Sequence, residues 1–326
     1  MDLELCAGIP PRVYAAWSKL LASTGLTPEQ RDLQTVLLWD GDKLVATGSR
    51  QDNVLKYIAV DPAYQGEGLT AKVLTALRQA AFEAGYQHLF LYTKPVNKVL
   101  FSSLFFYPIA QTAEVLLMED KKSGIADFLA ALPVMHTDKN IGAIVMNCDP
   151  FTLGHQHLIS TAASQCSHLY VFVLSEDKGY FSATDRLEMA KRGAAHLPNV
   201  TVLPTGPYLI SSATFPAYFL KEQSRAGHVH CGLDIAVFTQ YFAPRFSITQ
   251  RFIGSEPLCP VTNTYNQTLK TDLPQYGITV TEVPRIEKSG TPISASMVRK
   301  AINDADWTLV QALVPTTTYD YITTRR

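Results

Sequence analysis

The sequence predicts an α/β protein of two domains, and three observations support this prediction. The chain has 326 residues, of which 47% are hydrophobic, and this exceeds what one hydrophobic core usually organises. Its first part mixes predicted strands, a hairpin and helices. Residues 141–283 instead alternate short apolar strands with helices, which is typical of a doubly wound parallel sheet. We therefore expect an α+β domain over residues 1–135 and a Rossmann-like domain over residues 136–326.

The first domain is predicted from its periodicity and its turn residues. An amphipathic helix is expected at residues 11–23, and Asp40-Gly41-Asp42 favours the turn of a hairpin. A strand before residue 61 runs into a glycine-containing loop, after which a helix is expected. The predicted strands of this domain lie at 36–39, 43–47, 55–60, 88–92 and 113–118, and the helices at 71–84 and 125–132.

In the second domain, functional residues are expected at the carboxyl ends of the strands, because open parallel sheets bind their ligands there. An apolar stretch around residues 228–231 is predicted to precede a helix. The predicted strands are 141–148, 168–175, 199–203, 249–253 and 277–283. The predicted helices are 158–165, 185–196, 216–222, 235–241, 263–273, 296–303, 307–313 and 319–324.

Composition excludes several classes of protein. A formal net charge of −1 and a pI near 6.7 give no global basic field for a nucleic-acid backbone. The five cysteines are widely spaced and form no CxxC pair, so neither a disulfide framework nor a zinc site is expected, and no residue is assigned to a metal. No apolar run approaches eighteen residues and no signal peptide is evident. We expect a cytoplasmic enzyme without a nucleic-acid or membrane partner.

The loop Asn147-Cys148-Asp149-Pro150-Phe151-Thr152-Leu153-Gly154-His155 lies between a predicted strand and a predicted helix. Gly154 would let the backbone approach a phosphate closely, the helix N-terminus would supply amide donors, and His155 could donate to phosphate oxygens. A capping or core role for His155 is the alternative. The candidate ATP-binding residues of this loop are Asn147, Phe151, Thr152, Gly154 and His155.

A second motif, Ile293-Ser294-Ala295-Ser296-Met297-Val298-Arg299, begins another predicted helix. Ser294 and Ser296 could cap this helix, and capping can coexist with phosphate binding. Arg299 alone would read as a solvated helix charge. The two motifs together predict a nucleotide site, with Thr152, His155 and Arg299 as catalytic candidates.

Further candidates for ATP binding lie at other predicted loops and strand ends. Gly232-Leu233-Asp234 resembles a G-x-D element that contacts ribose or metal in related enzymes, and Asp234 could instead cap a helix. Lys178 and Arg186 could neutralise phosphate charge, although a lysine in a polar turn, such as Lys178, is more often only solvated. Gly254, Ser255 and Glu256 follow a strand, and the resemblance to nucleotidyltransferases given below implies that they lie close to the adenine.

In the first domain, the loop that follows the strand at 55–60 offers a second phosphate-binding candidate. A strand, a glycine loop and a helix again present backbone amides to an anion. A plain glycine-rich turn is the alternative reading. The candidate residues are Gln65, Gly66, Gly68 and Thr70.

Three resemblances add to these readings. Thr152-x-Gly154-His155 with Ile293-Ser294-x-Ser296-x-x-Arg299 resembles the nucleotidyltransferase superfamily, whose members attack the α-phosphate of ATP. Gln65-x-x-Gly68-x-Thr70 resembles the coenzyme A loop of the GCN5-related acetyltransferase fold, except that Thr70 stands where that family prefers Gly or Ala. Nearly the whole chain is similar to the citrate lyase ligase family, most clearly at residues 147–157, 186–202, 211–221, 254–265 and 293–299.

The last resemblance implies a complete reaction. ATP, with Mg²⁺, and acetate would form acetyl-adenylate and pyrophosphate. The acetyl group would then pass to the thiol of the dephospho-coenzyme-A-derived arm on the citrate lyase acyl carrier subunit, releasing AMP. Residues Gln65 to Thr70 would hold that arm. Two rivals stay open, a nucleotide adenylyltransferase and an acyl-coenzyme-A-binding or acetyltransferase protein.

Overall fold

The computed structural model describes residues 1–27, 33–135, 140–211, 225–256, 259–288 and 290–325, with the main chain only at 225–230. These residues form two compact units, Met1–Gly124 and Ile125–Arg326. The helix Gly124–Ala130 packs mainly within the second unit, because Phe128 contacts Tyr208 with ring centroids 5.4 Å apart. The main-chain oxygen of Leu129 also accepts a hydrogen bond of 3.2 Å from Arg245 Nε.

The first unit is a seven-stranded mixed sheet in the order β1-β2-β3-β4-β5-β7-β6, in which only β4 and β5 pair in parallel. The predicted hairpin is confirmed, with Asp40 opposite Lys43. The strands are β1 Asp2–Ala7, β2 Gln34–Asp40, β3 Lys43–Gln51, β4 Val54–Val60, β5 Phe90–Thr93, β6 Tyr107–Gln111 and β7 Leu116–Glu119. The helices are α1 Tyr14–Ser23, α2 Leu69–Glu83 and α3 Lys98–Ser103.

Two strands of this sheet, β1 and β6, were not predicted. Both lie at an edge of the sheet, where charged residues and proline are tolerated. In β1, the acidic side chains of Asp2 and Glu4 obscure the pattern, and in β6 Pro108 lies next to a shift in the strand register. The edge position therefore explains why the sequence signal was weak.

The second unit contains a five-stranded sheet in the order β10-β9-β8-β11-β12, with every neighbouring pair parallel. This confirms the predicted doubly wound sheet. The strands are β8 Ile141–Met146, β9 His168–Val173, β10 Val200–Pro204, β11 Ile248–Gly254 and β12 Thr279–Val283, with a separate hairpin of β13 Glu287–Lys288 and β14 Thr291–Pro292. The helices are α4 Gly124–Ala130, α5 Leu153–Ala163, α6 Ala183–Ala194, α7 Arg225–Val237, α8 Ala243–Phe246, α9 Pro260–Asp272, α10 Ala295–Asn303, α11 Trp307–Leu313 and α12 Thr316–Thr324.

The prediction for residues 228–241 was wrong in its boundaries. Residues 228–231 lie within α7, and a turn of π-helix at Phe238–Phe242 joins α7 to α8. A short apolar run can belong to a buried strand or a buried helix, and its periodicity alone does not decide between them. The predicted helix at 216–222 lies outside the described residues. None of the helices that the structure describes is long and apolar enough to cross a lipid bilayer.

Candidate active site

A cavity of about 470 Å³ lies at the carboxyl edge of the parallel sheet. The strand order reverses between β8 and β11, because β9 and β10 follow on one side and β12 on the other. Right-handed crossovers then place the following helices on opposite faces, which leaves a crevice at this point. The predicted residues that line the cavity are Asn147, Thr152, Gly154, His155, Gly254, Glu256, Ser294, Ser296 and Arg299.

Thr152 and His155 form a reciprocal cap at the start of α5. The Thr152 hydroxyl accepts a hydrogen bond of 3.3 Å from His155 N, and Thr152 N donates to His155 Nδ1 at 3.0 Å. Two of the N–H groups that a helix terminus leaves unpaired are thereby satisfied. The structural reading of His155 is thus correct, and it does not compete with a role at the cavity.

The same cap fixes the state of the imidazole ring. Because Nδ1 accepts a hydrogen bond, the proton of the neutral ring lies on Nε2. Burial, together with the nearby positive charge of Arg285, lowers the pKa of His155 to about 4, so the ring is neutral at pH 7. His155 is therefore a hydrogen-bond donor through Nε2 rather than a cation.

Gly154 lies between Thr152 and His155, and the surrounding protein atoms leave room for a side chain at this position. A Cβ atom added there would lie 3.4 Å from the Ile293 oxygen and from Thr152 Oγ1, which is ordinary contact. The packing of the protein therefore gives no strong reason for glycine at this position. Close approach of a ligand to the start of α5 remains the predicted reason.

Asp149 and Arg299 join the two sequence motifs. Arg299 Nη1 donates to the main-chain oxygen of Asp149 and lies 3.6 Å from its Oδ2 atom. The carboxylate of Asp149 also accepts hydrogen bonds from Tyr180 N at 2.9 Å and Phe181 N at 2.8 Å. Residues 150 positions apart in the sequence thus form one wall of the cavity.

Ser294 and Ser296 lie at the start of α10. Ser294 is the N-cap and accepts a hydrogen bond of 3.3 Å from Met297 N, as the capping alternative predicted. The two hydroxyl oxygens lie 3.0 Å apart and both residues line the cavity. The N-termini of α5 and α10 therefore face the same space.

Arg186 lies behind the first motif rather than in the cavity. Its side chain is 1% exposed and donates to the main-chain oxygens of Phe181, Asn147 and Glu176, and to the side-chain oxygen of Asn147. Direct contact of Arg186 with phosphate was expected. Its nitrogens instead join the loop after β8, at Asn147, to the segment that contains Glu176 and Phe181. Lys178 also lies outside the cavity lining, 4.0 Å from Glu176.

Phe151 packs beneath the loop. Its ring is fully buried and stacks on His155 with centroids 5.7 Å apart. A Cβ atom added at Gly193 in α6 would lie 2.2 Å from the Phe151 ring. The ring fits against α6 because residue 193 has no side chain. Phe151 thus supports the position of His155 from within the core.

The residues after β11 are held by Arg285, which the sequence analysis did not identify. Arg285 Nε donates to the Ser255 oxygen at 2.7 Å, and Nη2 forms an ion pair with Glu256. Gly254 and Glu256 line the cavity, whereas Ser255 is turned to these contacts. Arg285 and Asp149 both follow parallel strands closely, so the strand-end rule could have identified them.

Asp234 lies inside α7 and not at the strand end that was expected. Its side chain is buried, accepting a hydrogen bond of 2.6 Å from Ile210 N and one of 2.7 Å from Tyr265 OH. Arg251, in the middle of β11, is a further cavity residue that was missed. A lone arginine within the apolar run of β11 was the available signal.

In the first unit, glycines and exposed residues form the loop before α2, unlike the loop before α5. Gly66 and Gly68 have φ of +90° and +73°, a conformation that side chains other than Asn and Asp seldom adopt. Gly68 is the N-cap of α2, and a Cβ atom there would meet nothing within 4 Å. Gln65, Gly66 and Gly68 are solvent-exposed and Thr70 is half-buried. The start of α2 therefore offers open backbone amides without a cluster of side chains.

Comparison with known proteins agrees with this architecture. The family model of the citrate lyase ligase C-terminal domain matches residues 141–322, and that of the acetyltransferase (GNAT) family matches residues 11–100. The second unit is thus of the nucleotidyltransferase type and the first has the acetyltransferase-like fold.

Three curated relatives are informative. The citrate (pro-3S)-lyase ligase of Klebsiella pneumoniae is 46% identical over 86% of this chain and 84% of that protein. The enzyme of the same name from Escherichia coli is 38% identical over 86% of this chain and 82% of its own length. A phosphopantetheine adenylyltransferase of Corynebacterium efficiens is 26% identical over 40% of this chain and 80% of that protein. The chain belongs to the citrate lyase ligase family and is an enzyme of that kind.

Proposed function

We propose that this enzyme activates acetate with ATP and transfers the acetyl group to a carrier thiol of citrate lyase. A carboxylate oxygen of acetate attacks the α-phosphorus, the bond from that phosphorus to the bridging oxygen breaks, and pyrophosphate leaves. A thiolate then attacks the acyl carbon of acetyl-adenylate, a thioester forms, and AMP leaves. The observation that most supports this proposal is the convergence of two helix N-termini, Arg299 and neutral His155 on one cavity.

The first step requires stabilisation of charge more than covalent help. At the start of α5 and α10, backbone amides and the helix dipole favour a polyphosphate. His155 Nε2 would donate to the oxygen on which negative charge increases, and Arg299 would neutralise charge on the leaving group. Thr152 would act through His155, since its amide fixes which nitrogen of the ring bears the proton.

The nucleotide base would lie on the other side of the cavity, near Gly254 and Glu256. The ion pair between Arg285 and Glu256 holds the segment after β11 in place. Asn266 Nδ2 also donates to the Gly254 oxygen at 3.0 Å, so that oxygen already has one partner. The protein's own contacts thus hold this wall in place, which suits recognition of a flat base.

Mg²⁺ would accompany the phosphates and would neutralise part of their charge. Among the described residues, no group of three or more His, Cys, Asp or Glu side chains is arranged to hold a metal. The two cavity carboxylates, Asp149 and Glu256, already pair with arginines. The donor set thus fits an ion held mainly by phosphate oxygens, with few or no protein ligands.

We further propose that the first unit binds the dephospho-coenzyme-A-derived arm of the acyl carrier subunit. Such an arm contains a pyrophosphate, and the start of α2 offers backbone amides to an anion. The open space around Gly66 and Gly68 would let that group approach the main chain. The match of residues 11–100 to the acetyltransferase family supports this assignment.

The test is exchange of labelled pyrophosphate into ATP by the full chain. Exchange should require acetate and tolerate propionate less well, by about 1 to 3 kcal/mol for one methylene group. The rival reaction is adenylyl transfer to phosphopantetheine or a mononucleotide, as the similarity to a phosphopantetheine adenylyltransferase suggests. Exchange that needs phosphopantetheine or a mononucleotide and ignores acetate would replace the proposed function by nucleotide adenylyl transfer.

A further inference from the structure

Three arginines line the cavity, and two of them already pair with a carboxylate. Arg299 lies 3.6 Å from Asp149 Oδ2, and Arg285 forms an ion pair with Glu256. The third, Arg251, is 2% exposed. Within the described part of the chain, neither Nε nor Nη1 of Arg251 has a hydrogen-bond partner. Among the described residues, the cavity therefore contains a deeply buried guanidinium group with two nitrogens that lack a hydrogen-bond partner.

An unfilled guanidinium at such depth is unusual. Removing a charge from water costs several kcal/mol unless hydrogen bonds and an opposite charge replace the lost solvation. Arg251 stacks over the Phe238 ring, with 4.7 Å from Cζ to the ring centroid, and this contact replaces part of the solvation. It does not satisfy the two N–H groups. Buried polar groups without partners in folded proteins point to a bound water, ion or ligand.

The position of Arg251 separates its main chain from the strand end at Gly254, where the nucleotide base is expected. It lies three residues before Gly254, the last residue of β11, which is about 10 Å along a strand. It pairs across the sheet with Ala143 of β8 and Val280 of β12. Tyr265 lies close enough to act on it electrostatically, and Ile210 and Leu269 also line the cavity. Arg251 thus arises from the interior of the sheet, at a deeper level of the cavity than the strand ends that lead to the helix N-termini.

We propose that Arg251 binds the carboxylate of the acid that is activated, and that this deeper part of the cavity is a subsite for a small carboxylate. One carboxylate oxygen accepts hydrogen bonds from the guanidinium, which leaves the other oxygen to attack the α-phosphorus. The inference rests on the proposed acid activation and names the residue that selects the acid. Arg251 acts here as a binding and orienting residue.

Charge favours a carboxylate over a phosphate at this point. Asp234 is close enough to Arg251 to act on it electrostatically, and its two oxygens accept hydrogen bonds from Ile210 N and Tyr265 OH. That negative charge offsets part of the guanidinium charge. A group with a single negative charge therefore fits better than a polyphosphate, which Asp234 would repel more strongly. Apolar Ile210 and Leu269 suit a short hydrocarbon tail.

The kinetic test uses the full chain with Arg251→Met and Arg251→Lys. In pyrophosphate exchange, Arg251→Met should raise the KM for acetate about 10- to 100-fold, because a charge-assisted hydrogen bond is lost. The KM for ATP should change less than about twofold, a span of only 0.4 kcal/mol. Arg245→Met is the matched control, since Arg245 is an arginine of the same unit outside the cavity lining and should leave both constants at the parental values.

A binding measurement keeps the proposal testable if Arg251→Met does not fold. In the parent protein, the arginine Nε–H signals are followed by NMR during titration with sodium acetate, with sodium chloride as the control. The signal that Arg251→Lys removes should shift and saturate. An unmoved signal, a parental KM for acetate in Arg251→Met, or a rise in the KM for ATP instead would overturn the subsite. Exchange in the parent that ignores acetate would overturn the proposed function itself, and this inference with it.

Discussion

Two helix N-termini in this molecule follow the same local plan and differ in what surrounds them. In the second unit, β8 leads through a loop into α5, and in the first unit β4 leads through a loop into α2. Both loops place backbone amides at a helix start, where an anion is favoured. By sequence, both loops are candidate phosphate sites, and the first has the additional support of the motif at Ile293 to Arg299.

The loop before α5 is held by buried side chains. Thr152 and His155 cap the helix reciprocally, and Asp149 accepts hydrogen bonds from Tyr180 N and Phe181 N. Arg186 supports the loop from behind through main-chain oxygens. A site held in this way meets a ligand with its donors already placed, which is the condition for electrostatic catalysis.

The loop before α2 is open, and the side-chain contacts that hold its first half, made by Asp61 and Tyr64, are exposed. Its N-cap, Gly68, makes no side-chain hydrogen bond, and Gln65, Gly66 and Gly68 are exposed. Two left-handed glycines define its shape. Backbone amides alone can hold a phosphate but offer no group that donates, accepts or moves a proton during reaction. Under the proposed function, the chemistry would therefore take place at α5, and α2 would only bind the carrier arm.

The largest effect that would test this division is expected at His155. Asparagine at this position can still accept the hydrogen bond from Thr152 N, but it lacks the Nε2 donor. His155→Asn should therefore lower the rate of pyrophosphate exchange about 10²- to 10³-fold, or 2.7–4 kcal/mol, with little change in Tm. His155→Ala should lose similar activity and also about 1 kcal/mol of stability, because the cap is broken.

The control for this pair is His196→Asn, an exposed histidine of the same unit. It should leave exchange and Tm at the parental values. Parental exchange in His155→Asn would show that α5 contributes only its backbone, and the contrast with α2 would disappear.

Much of this contrast could be predicted from sequence because the relevant signals were local. Apolar strands alternating with helices gave the parallel sheet, and Asp40-Gly41-Asp42 gave the hairpin. Thr152 and His155 belong to one turn of helix, so their spacing alone brings them together. Ser294 follows the same rule at α10.

The contacts that prepare the site could not be predicted, because they join distant parts of the chain. The contact of Arg299 with Asp149 spans 150 positions, and that of Arg186 with Asn147 spans 39. Arg186 was assigned to phosphate from its place at a helix start, yet its nitrogens bind main-chain oxygens. Asp234 was expected at a strand end because residues 228–231 are compatible with a strand and a helix alike.

A second test removes the support behind the α5 loop. Arg186→Met would leave the main-chain oxygens of Asn147, Glu176 and Phe181 without this donor. We expect a loss of about 3 kcal/mol in the free energy of unfolding, since each buried acceptor without a partner costs at least about 1 kcal/mol. Urea unfolding checks this value. If stability is unchanged and the KM for ATP rises, Arg186 binds phosphate, as expected from the sequence.

A third and smaller effect concerns pH. The pKa of His155 falls from an ordinary 6.5 to about 4 on folding, mainly through burial. Between these values the unfolded chain binds more protons, so the stability from this residue is complete above pH 6.5 and is lost as pH falls towards 4. Between pH 7 and pH 5, the parent should lose about 1 to 2 kcal/mol more of its free energy of unfolding than His155→Asn does. Urea unfolding at pH 5 and at pH 7 measures this difference. Equal losses of stability in the two proteins would show that the His155 ring is exposed to solvent.

The smallest effect on catalysis is expected in the α2 loop. Asparagine tolerates a left-handed backbone, so Gly68→Asn should keep the fold while its side chain occupies the open space above the helix start. Acetate-dependent exchange should remain parental, and the KM for the acyl carrier should rise about tenfold, or 1.4 kcal/mol, because the arm is kept from the amides. Gly41→Asn is the matched control, since Gly41 also has a positive φ and open surroundings but lies in the hairpin turn. If Gly68→Asn transfers acetyl groups with the parental KM, the loop before α2 does not bind the arm. If exchange falls together with transfer, the α2 loop takes part in the chemistry, and the division between a reacting and a binding helix start is incorrect.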